Sequence, residues 1–353
     1  MAEQKSIPIV DLSAFGAEGN TEARLESARA LYQSCHDLGF VQILGHGVEP
    51  DLLREAFDWS EKLYSLSHDD KMKAPHPDGP VPHRGYSHPG LEKVYSEAER
   101  DSKDAIETDG DSLRQVKDFK ESYEIGSEDN SGQQNIWLPE EVLPGFRSFM
   151  MTFYWKLDKA AHRILEAVSL ALGLTEAEKG YLFELHSGHN NQLRLLHYPP
   201  IPTEKLRKQV VARMPAHCDW SSFTMLFQDD CGGLEFEDPN NTGSFVPAAP
   251  TTGALALNIG DMLQRFSNDV FPSASHRVTL PPRAASANHM HETVTRQRFS
   301  IPYFVAPDAD KTVSCFSSCV SDEHPVKFEP VSFAEYGASI SRYQYKRKAT
   351  VAV

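Results

Sequence analysis

The spacing of apolar residues divides the chain into a helical first half and a strand-rich second half. Helical periodicity of three to four residues predicts three helices, over residues 21–38, 50–66 and 146–172. Asn20 or Thr21 is a suitable cap for the first of them, and Gly39 is a suitable end. Short strands are predicted on either side of that helix, over residues 7–12 and 40–44.

From residue 192 onward, short apolar runs alternate with Gly, Pro and Asn. These runs predict strands over residues 193–196, 223–227, 233–236, 253–259, 276–280 and 298–305. Many short strands separated by turns indicate a β-sandwich or barrel, and a final helix is predicted over residues 333–345. Residues 67–135 are rich in Pro, Gly, Ser and charge, which predicts loops and short elements that cover a site.

The predicted fold is therefore mainly β with flanking helices (α+β), a jelly roll packed against a helical N-terminal region. We expect one domain with three parts: a helical N-terminal region (1–190) that supplies strands to the core, a jelly-roll core (191–307) and a C-terminal helical segment (308–353). At 353 residues the chain is long enough to bury a substantial core.

Composition and charge narrow the function classes. A formal net charge of −15 argues against a nucleic-acid surface, because phosphate contacts need clustered Lys and Arg. No apolar run approaches the roughly 20 residues that a membrane span requires, and the first residues lack the apolar core of a secretory signal. Five scattered cysteines argue against a disulfide framework. A cytoplasmic protein is expected.

Candidate metal ligands come in His-x-Asp pairs, at His68/Asp70, His76/Asp78 and His217/Asp219. The first two lie in a charged helix end and a Pro-rich loop, where side chains are not held in place. The third precedes the β-rich run 222–227. Because residues two apart in extended backbone point to the same face, His217 and Asp219 are predicted to converge while Cys218 points away.

A third ligand and an anion site come further along the chain. His276 lies in another strand-like segment, and two histidines with one carboxylate form the ligand set of non-haem Fe(II) oxygenases. We therefore predict a catalytic Fe(II) held by His217, Asp219 and His276. Arg298 and Ser300 share one face of a later strand, and a guanidinium gives bidentate recognition of a carboxylate, so an acidic co-substrate is predicted beside the metal.

These residues belong to a wider resemblance. The chain resembles the Fe(II)- and 2-oxoglutarate-dependent dioxygenases of the isopenicillin N synthase-like group, in segments 7–11, 39–40, 217–219, 258–261, 276–278 and 298–300. The resemblance implies a distorted double-stranded β-helix with helices outside. It also implies an oxidoreductase that uses Fe(II), O2 and 2-oxoglutarate to hydroxylate, or otherwise oxidise at a C–H bond, a small organic substrate, with release of succinate and CO2.

A closer resemblance, to the fungal thymine 7-hydroxylase-like members of that family, is carried by segments 84–87, 92–94, 120–126 and 193–199. It implies that Tyr198 helps to bind 2-oxoglutarate and that Arg194 and Phe304 contact the substrate. Phe304 also shares a strand face with Arg298 and Ser300 by period two. Secondary metabolism or pyrimidine salvage in a fungus is the setting that the resemblance suggests.

Two aromatic residues are further substrate candidates. Trp220 stands where the thymine enzymes have Tyr, so it is predicted at the substrate wall and leaves thymine itself open as the substrate. Tyr86 and the loop after it are predicted to form a lid, because of their position in the Pro- and Gly-rich stretch.

Three functions remain open at this point. The first is the 2-oxoglutarate-dependent dioxygenase, with a pyrimidine hydroxylase as one form of it. The second is an oxidase of the isopenicillin N synthase kind, which needs no keto acid, because Arg298 and Ser300 alone do not exclude it. The third is a non-catalytic binding barrel, which an intact ligand set disfavours. The expected partner is a small molecule, with neither nucleic acid nor membrane, and the oligomeric state is left open.

Overall fold

The structure, a computed structural model, describes residues 7–16, 20–79, 83–92, 117–208, 211–280 and 293–341. Its helices are α1 (Thr21–Leu38), α2 (Pro50–Ser65), α3 (His68–Lys71), α4 (Phe146–Ala171), α5 (Glu176–Glu184), α6 (Thr203–Arg207), α7 (Asp261–Phe266) and α8 (Phe333–Ser341). Its strands are β1 (Ile9–Asp11), β2 (Phe40–Leu44), β3 (Gly85–Ser87), β4 (Lys117–Asp118), β5 (Glu121–Gly126), β6 (Gln192–Tyr198), β7 (Val211–Ala212), β8 (Met214–His217), β9 (Phe223–Gln228), β10 (Leu234–Glu237), β11 (Phe245–Pro247), β12 (Leu255–Ile259), β13 (His276–Val278), β14 (Arg298–Val305), β15 (Thr312–Val313) and β16 (Val331–Ser332).

Two sheets form the core of the described chain. Eight strands make the larger sheet, in the order β1-β2-β12-β9-β14-β6-β5-β3, and four make the smaller one, in the order β11-β10-β13-β8. Within these sheets the pair β1–β2 is parallel and the other neighbours are antiparallel. A buried cluster that includes Phe40, Leu196, Phe236 and Val278 joins residues from both sheets. The sheets therefore enclose an interior, as the predicted jelly roll requires.

Helices cover the outer face of the larger sheet. Leu31 of α1, Leu63 of α2 and Ile164 of α4 are fully buried in one cluster with Ile43 and other outward residues of the sheet. Burying an apolar side chain of this size contributes about 1.5–3 kcal/mol relative to leaving it exposed. The helices thereby fix the outer face of the sheet and leave its inner face for the site.

Strand β14 shows how the sheet separates core from chemistry. Ile301 and Tyr303 pack among the helices, whereas Arg298 and Ser300 alternate with them and point to the interior. Because side chains alternate along a strand, the same backbone that anchors the core also presents the polar pair.

The predicted helix α1 is confirmed at both ends. The side chain of Asn20 accepts a hydrogen bond from the Ala23 amide at 3.1 Å, and Gly39 takes the left-handed conformation (φ 62°) that ends the helix. The other two predicted long helices end one residue earlier than expected, at Ser65 and Ala171. The C-terminal helix begins at Phe333 as predicted and is described as far as Ser341. The last part of its predicted span, residues 342–345, lies outside the described residues. Within the described ranges, no helix has the length and apolar character needed to cross a bilayer.

Residues 67–135 contain short elements where they are described, as predicted, but β5 belongs to the larger sheet and not to a cover over the site. This strand is buried along its whole length and pairs with β6 and β3 inside the larger sheet. Its polar residues concealed it, because Glu121 and Glu124 would be expected at the surface. Inside the fold each carboxylate has a buried basic partner, Lys71 for Glu121 and Arg194 for Glu124.

Candidate active site

Three predicted ligands meet where the two sheets face each other. His217 ends β8 and is the register partner of His276, the first residue of β13. Ligand atoms of His217, Asp219 and His276 all lie within 4.8 Å of one another. The Nε2 atoms of the two histidines lie 3.7 and 3.8 Å from the Asp219 carboxylate oxygens. Two segments of the chain thus bring three side chains together around a volume the size of one ion.

Each imidazole is oriented by a backbone carbonyl. Nδ1 of His217 donates to the carbonyl oxygen of Pro215 at 2.8 Å. Nδ1 of His276 donates to that of Ala274 at 3.0 Å. Because a carbonyl oxygen only accepts, Nδ1 carries the proton in both rings, and Nε2 keeps a lone pair for a metal.

The Asp219 carboxylate is held on one side. Thr224 Oγ1 and Asn258 Nδ2 both donate to its Oδ2, at 2.6 and 2.8 Å, so Oδ1 carries fewer protein contacts. Burial acts to raise the pKa of Asp219, but the imidazoles of His276 and His217 and the two hydrogen bonds outweigh it, and the pKa lies below its usual value. Sequence reasoning gave no role to Thr224 or Asn258. The available signal was a polar residue at an inward position of an apolar strand.

The turn that carries Asp219 packs against Gly260. The Asp219 carbonyl accepts a hydrogen bond from the Asp261 amide at 2.8 Å, and the Gly260 amide donates to the Ser222 carbonyl at 3.0 Å. A Cβ on Gly260 would lie 2.2 Å from the backbone oxygen of Ser221, closer than any van der Waals contact allows. The close approach of the two backbones therefore requires glycine at this position.

The donor set fits Fe(II). Burial lowers the pKa of His217 to about 4, and the neighbouring His276 contributes to the shift, so the His217 imidazole is neutral at physiological pH. A neutral imidazole is the form that binds metal, and two such nitrogens with one carboxylate suit non-haem iron.

Arg298 lies at one end of the interior and is completely buried. Its Nη1 donates to Ser300 Oγ at 2.9 Å, and its Nη2 donates to Gln228 Oε1 at 3.2 Å. Tyr198 is its register partner on β6, and the guanidinium carbon lies 5.0 Å from the centre of the Tyr198 ring. This group, which we call the arginine end, offers a fixed cation with hydroxyl groups beside it.

Arg194 lies at the other end, among charged side chains that are also buried. Its Nε lies 2.8 Å from the Glu124 carboxylate and its Nη1 3.3 Å from that of Glu92. Lys120 forms a second ion pair with Glu92. The guanidinium carbon of Arg194 lies 5.5 Å from the centre of the Phe304 ring. We call this group the paired end, because its cations and anions contact each other directly.

Burial and charge act in opposite directions at the paired end. Burial acts to raise the pKa of Glu92, but the positive charges of Arg194 and Lys120 lower it by more. The net pKa lies well below its usual value, so the carboxylate is ionised. Burial lowers the pKa of His83, beside Arg194, to about 4, so this imidazole is neutral. Glu92 also acts electrostatically to raise the pKa of His217.

Comparison with known proteins agrees with this geometry. The 2OG-Fe(II) oxygenase superfamily matches residues 189–307, and the N-terminal region described as "non-haem dioxygenase in morphine synthesis" matches residues 7–142. The 2-oxoglutarate-dependent dioxygenase htyE of Aspergillus rugulosus is 34% identical over 343 residues, which cover 97% of each chain. The chain belongs to the 2OG-Fe(II) oxygenase superfamily.

Two further relatives of this 2OG-Fe(II) oxygenase bear on its chemistry. The proline hydroxylase buaE of Petromyces alliaceus is 33% identical over 92% of this chain and 94% of its own. A crystal structure of a Neurospora crassa protein in complex with alpha-KG and thymine superposes with a TM-score of 0.80, at 32% identity over 96% of each chain. The predicted double-stranded β-helix is confirmed, and so is the use of Fe(II), 2-oxoglutarate and O2 by an oxidoreductase of this family.

Tyr86, predicted as a substrate residue and part of a lid, lies on the helix side of the larger sheet. Tyr86 is the register partner of Tyr123, and both rings pack in the helix-side cluster. The Tyr86 hydroxyl donates to Glu121 at 2.5 Å, on the face of the sheet that points away from the ligand cluster. A one-residue difference in strand register decides the face, and the sequence of β3 alone does not reveal it. Trp220 follows Asp219 and is partly exposed, while the loop predicted after Tyr86 lies largely outside the described residues.

Proposed function

We propose that His217, Asp219 and His276 bind the Fe(II) of this oxygenase. The observation that carries the proposal is the convergence of their ligand atoms within 4.8 Å, with both histidines presenting Nε2. Thr224 and Asn258 are the residues that we expect to hold the carboxylate in one orientation, because both bind its Oδ2.

The arginine end is the proposed site of 2-oxoglutarate. Arg298 would pair with the carboxylate farthest from the metal, and Ser300 and Tyr198 would donate hydrogen bonds to it. Complete burial of Arg298 supports this role, because a buried cation is costly unless an anion accompanies it. The keto acid end of the molecule would then point toward the proposed iron ligands.

The paired end is the proposed substrate site. Arg194 and Lys120 are balanced by Glu92 and Glu124, so the described charges of this end sum to zero. A substrate without net charge, carrying both hydrogen-bond donors and acceptors, suits such a surface, and Phe304 offers a flat apolar wall beside it. Proline and thymine, named with two of the relatives, are both small ring compounds of this kind. We therefore propose a small cyclic substrate that is neutral overall.

The protein residues orient and shield the reactants. When bound, Fe(II) and 2-oxoglutarate supply the oxidising power for attack on a C–H bond, with succinate and CO2 as products. Arg298 fixes the co-substrate, Arg194 and Phe304 fix the substrate on the opposite side, and the apolar interior excludes water. Fungal relatives support a role in fungal secondary metabolism, and a cytoplasmic location completes the proposal.

Metal-dependent succinate formation tests the proposal. Asp219→Ala removes the carboxylate ligand, and we expect loss of anaerobic Fe(II) or Mn(II) binding by at least about 100-fold, since even outer partners of a metal site cost roughly 10–100-fold. Substrate-stimulated succinate formation should disappear with it, first measured with L-proline and thymine. Asp229→Ala, at a carboxylate bonded to backbone amides, is the matched control and should retain metal binding.

Two results would contradict this assignment. Metal binding that survives Asp219→Ala would place the iron elsewhere. Oxygen consumption that continues without 2-oxoglutarate would favour the keto-acid-independent oxidase over the dioxygenase.

A further inference from the structure

A second buried arginine lies beside the arginine end. Arg213 directly precedes β8 and is 1% exposed, nearly as buried as Arg298. Its guanidinium carbon lies 5.7 Å from the centre of the Tyr198 ring, and that of Arg298 lies 5.0 Å from the same centre. One tyrosine therefore contacts two guanidinium groups.

Neither guanidinium is neutralised by a carboxylate of the described residues. In the described part of the chain, no Asp or Glu forms an ion pair with Arg213 or Arg298. Arg213 donates from Nη2 to the Arg296 carbonyl at 2.7 Å and lies 3.9 Å from the sulfur of Cys231 through Nη1. The Nε atoms of both arginines are buried without a hydrogen-bond partner.

Two such cations are expensive to bury together. Burial lowers the pKa of Arg213, the neighbouring Cys231 acts to raise it, and the charge of Arg298 acts to lower it. The pKa lies below its usual value, yet a guanidinium remains protonated in proteins. Isolated buried charges cost several kcal/mol each unless an anion or strong hydrogen bonds compensate them. A local excess of positive charge with unused hydrogen-bond donors indicates a site for an anionic ligand.

We propose that Arg213 is a specificity residue for the co-substrate: together with Arg298 it selects a 2-oxo acid that carries a second, distal carboxylate. The inference rests on the proposed placement of 2-oxoglutarate at Arg298, Ser300 and Tyr198. It adds that one guanidinium is not the whole anion site. A purely structural role is the alternative, in which Arg213 only ties the start of β8 to the Arg296 carbonyl.

A pair of keto acids separates the two roles. 2-Oxoglutarate and 2-oxopentanoate have the same chain length, but the second ends in a methyl group where the first has its distal carboxylate. Arg213→Gln keeps a hydrogen-bond donor for the Arg296 carbonyl and removes the charge. Arg213→Lys keeps the charge and loses the planar fork.

The measurement is binding of each keto acid to the anaerobic, Mn(II)-loaded full chain by calorimetry. We expect Arg213→Gln to weaken 2-oxoglutarate by about 10- to 30-fold and 2-oxopentanoate by less than about 2-fold, since a hydrogen-bonded charge is involved in the first case only. Arg213→Lys should restore most of the preference. If Arg213→Gln does not fold, Arg213→Met is the second neutral variant, and the ratio of the two affinities remains the readout.

Equal weakening of both acids, or none for 2-oxoglutarate, would overturn the inference and leave the proposed function intact. A wild-type protein that binds the two acids equally would overturn the co-substrate site itself, and the role of Arg213 with it. The two failures are therefore distinguishable in one set of titrations.

Discussion

The two ends of the interior use buried arginine in opposite ways. At the paired end, Arg194 contacts Glu124 and Glu92 directly, and a lysine balances the second carboxylate. At the arginine end, Arg298 has a serine hydroxyl and a glutamine oxygen as partners, and Arg213 brings a second uncompensated charge. The two arginines lie on paired strands, Arg298 on β14 and Arg194 on β6.

This contrast shows how a buried charge indicates its ligand. A buried arginine without a carboxylate partner from the protein requires an anionic ligand to balance its charge. It therefore suits a co-substrate, because the same anion binds in every turnover. An arginine already paired with carboxylates offers no net charge and instead supplies orientation through many donors and acceptors. The first arrangement fits an invariant co-substrate, and the second fits a neutral substrate.

Arg298 and Arg194 should differ most strongly in their effect on co-substrate binding. Arg298→Gln should weaken 2-oxoglutarate on the order of 1000-fold, about 4 kcal/mol, because it removes the guanidinium that has Ser300 and Tyr198 beside it and leaves only Arg213 to pair with a buried carboxylate. Arg194→Gln should leave 2-oxoglutarate affinity nearly unchanged and raise the KM of the organic substrate. Anaerobic titration of the metal-loaded variants measures the first effect, and initial rates measure the second. Equal losses of 2-oxoglutarate affinity in both variants would remove the distinction between the two ends.

The buried ion pairs of the paired end should contribute more to the free energy of unfolding than exposed ion pairs do. Glu124→Gln leaves Arg194 with one buried carboxylate fewer and should lower the free energy of unfolding by about 3 kcal/mol. The exposed pair Arg147–Glu128 is the matched control, where Glu128→Gln should cost less than about 1 kcal/mol. Urea denaturation of the metal-free protein provides both values. Similar losses in the two variants would show that burial does not distinguish these pairs.

The stability of the fold should also depend on pH, and His83 at the paired end contributes to that dependence. Burial lowers the pKa of His83 and of His186 to about 4, below the roughly 6.5 of an unfolded histidine. Between those values the unfolded chain binds more protons, so stability falls as the pH drops from about 6.5 toward 4, by up to about 1.4 kcal/mol per pH unit for each group. His83→Gln should flatten this slope. An unchanged slope in His83→Gln would mean that this ring is protonated beside Arg194.

The proposed ligands were accessible from sequence because strand geometry is local. His217 and Asp219 lie two apart, as do Arg298 and Ser300, and alternation along a strand decides which side chains converge. The structure brings the proposed ligands together and buries Arg298 beside Tyr198. The roles of these residues, like the division of the chain at residues 190 and 307, stay predictions.

The features that could not be predicted from the sequence depend on contacts between distant segments. The partner of Glu124 is a residue of another strand, so nothing near β5 in the sequence predicts its burial. The placement of Tyr86 was missed for a related reason, since its face depends on pairing with Tyr123. Arg213 gave no local signal, because its environment is created by Tyr198 and Cys231 from two other segments.

The position of the proposed iron-binding carboxylate is set by a residue that has no side chain. Gly260 lies so close to the backbone around Asp219 that even one methyl group would force the two segments apart. The packing of the main chain around Gly260 therefore leaves no room for a side chain at this position. Directed evolution toward new substrates therefore has more freedom at Phe304 than at Gly260.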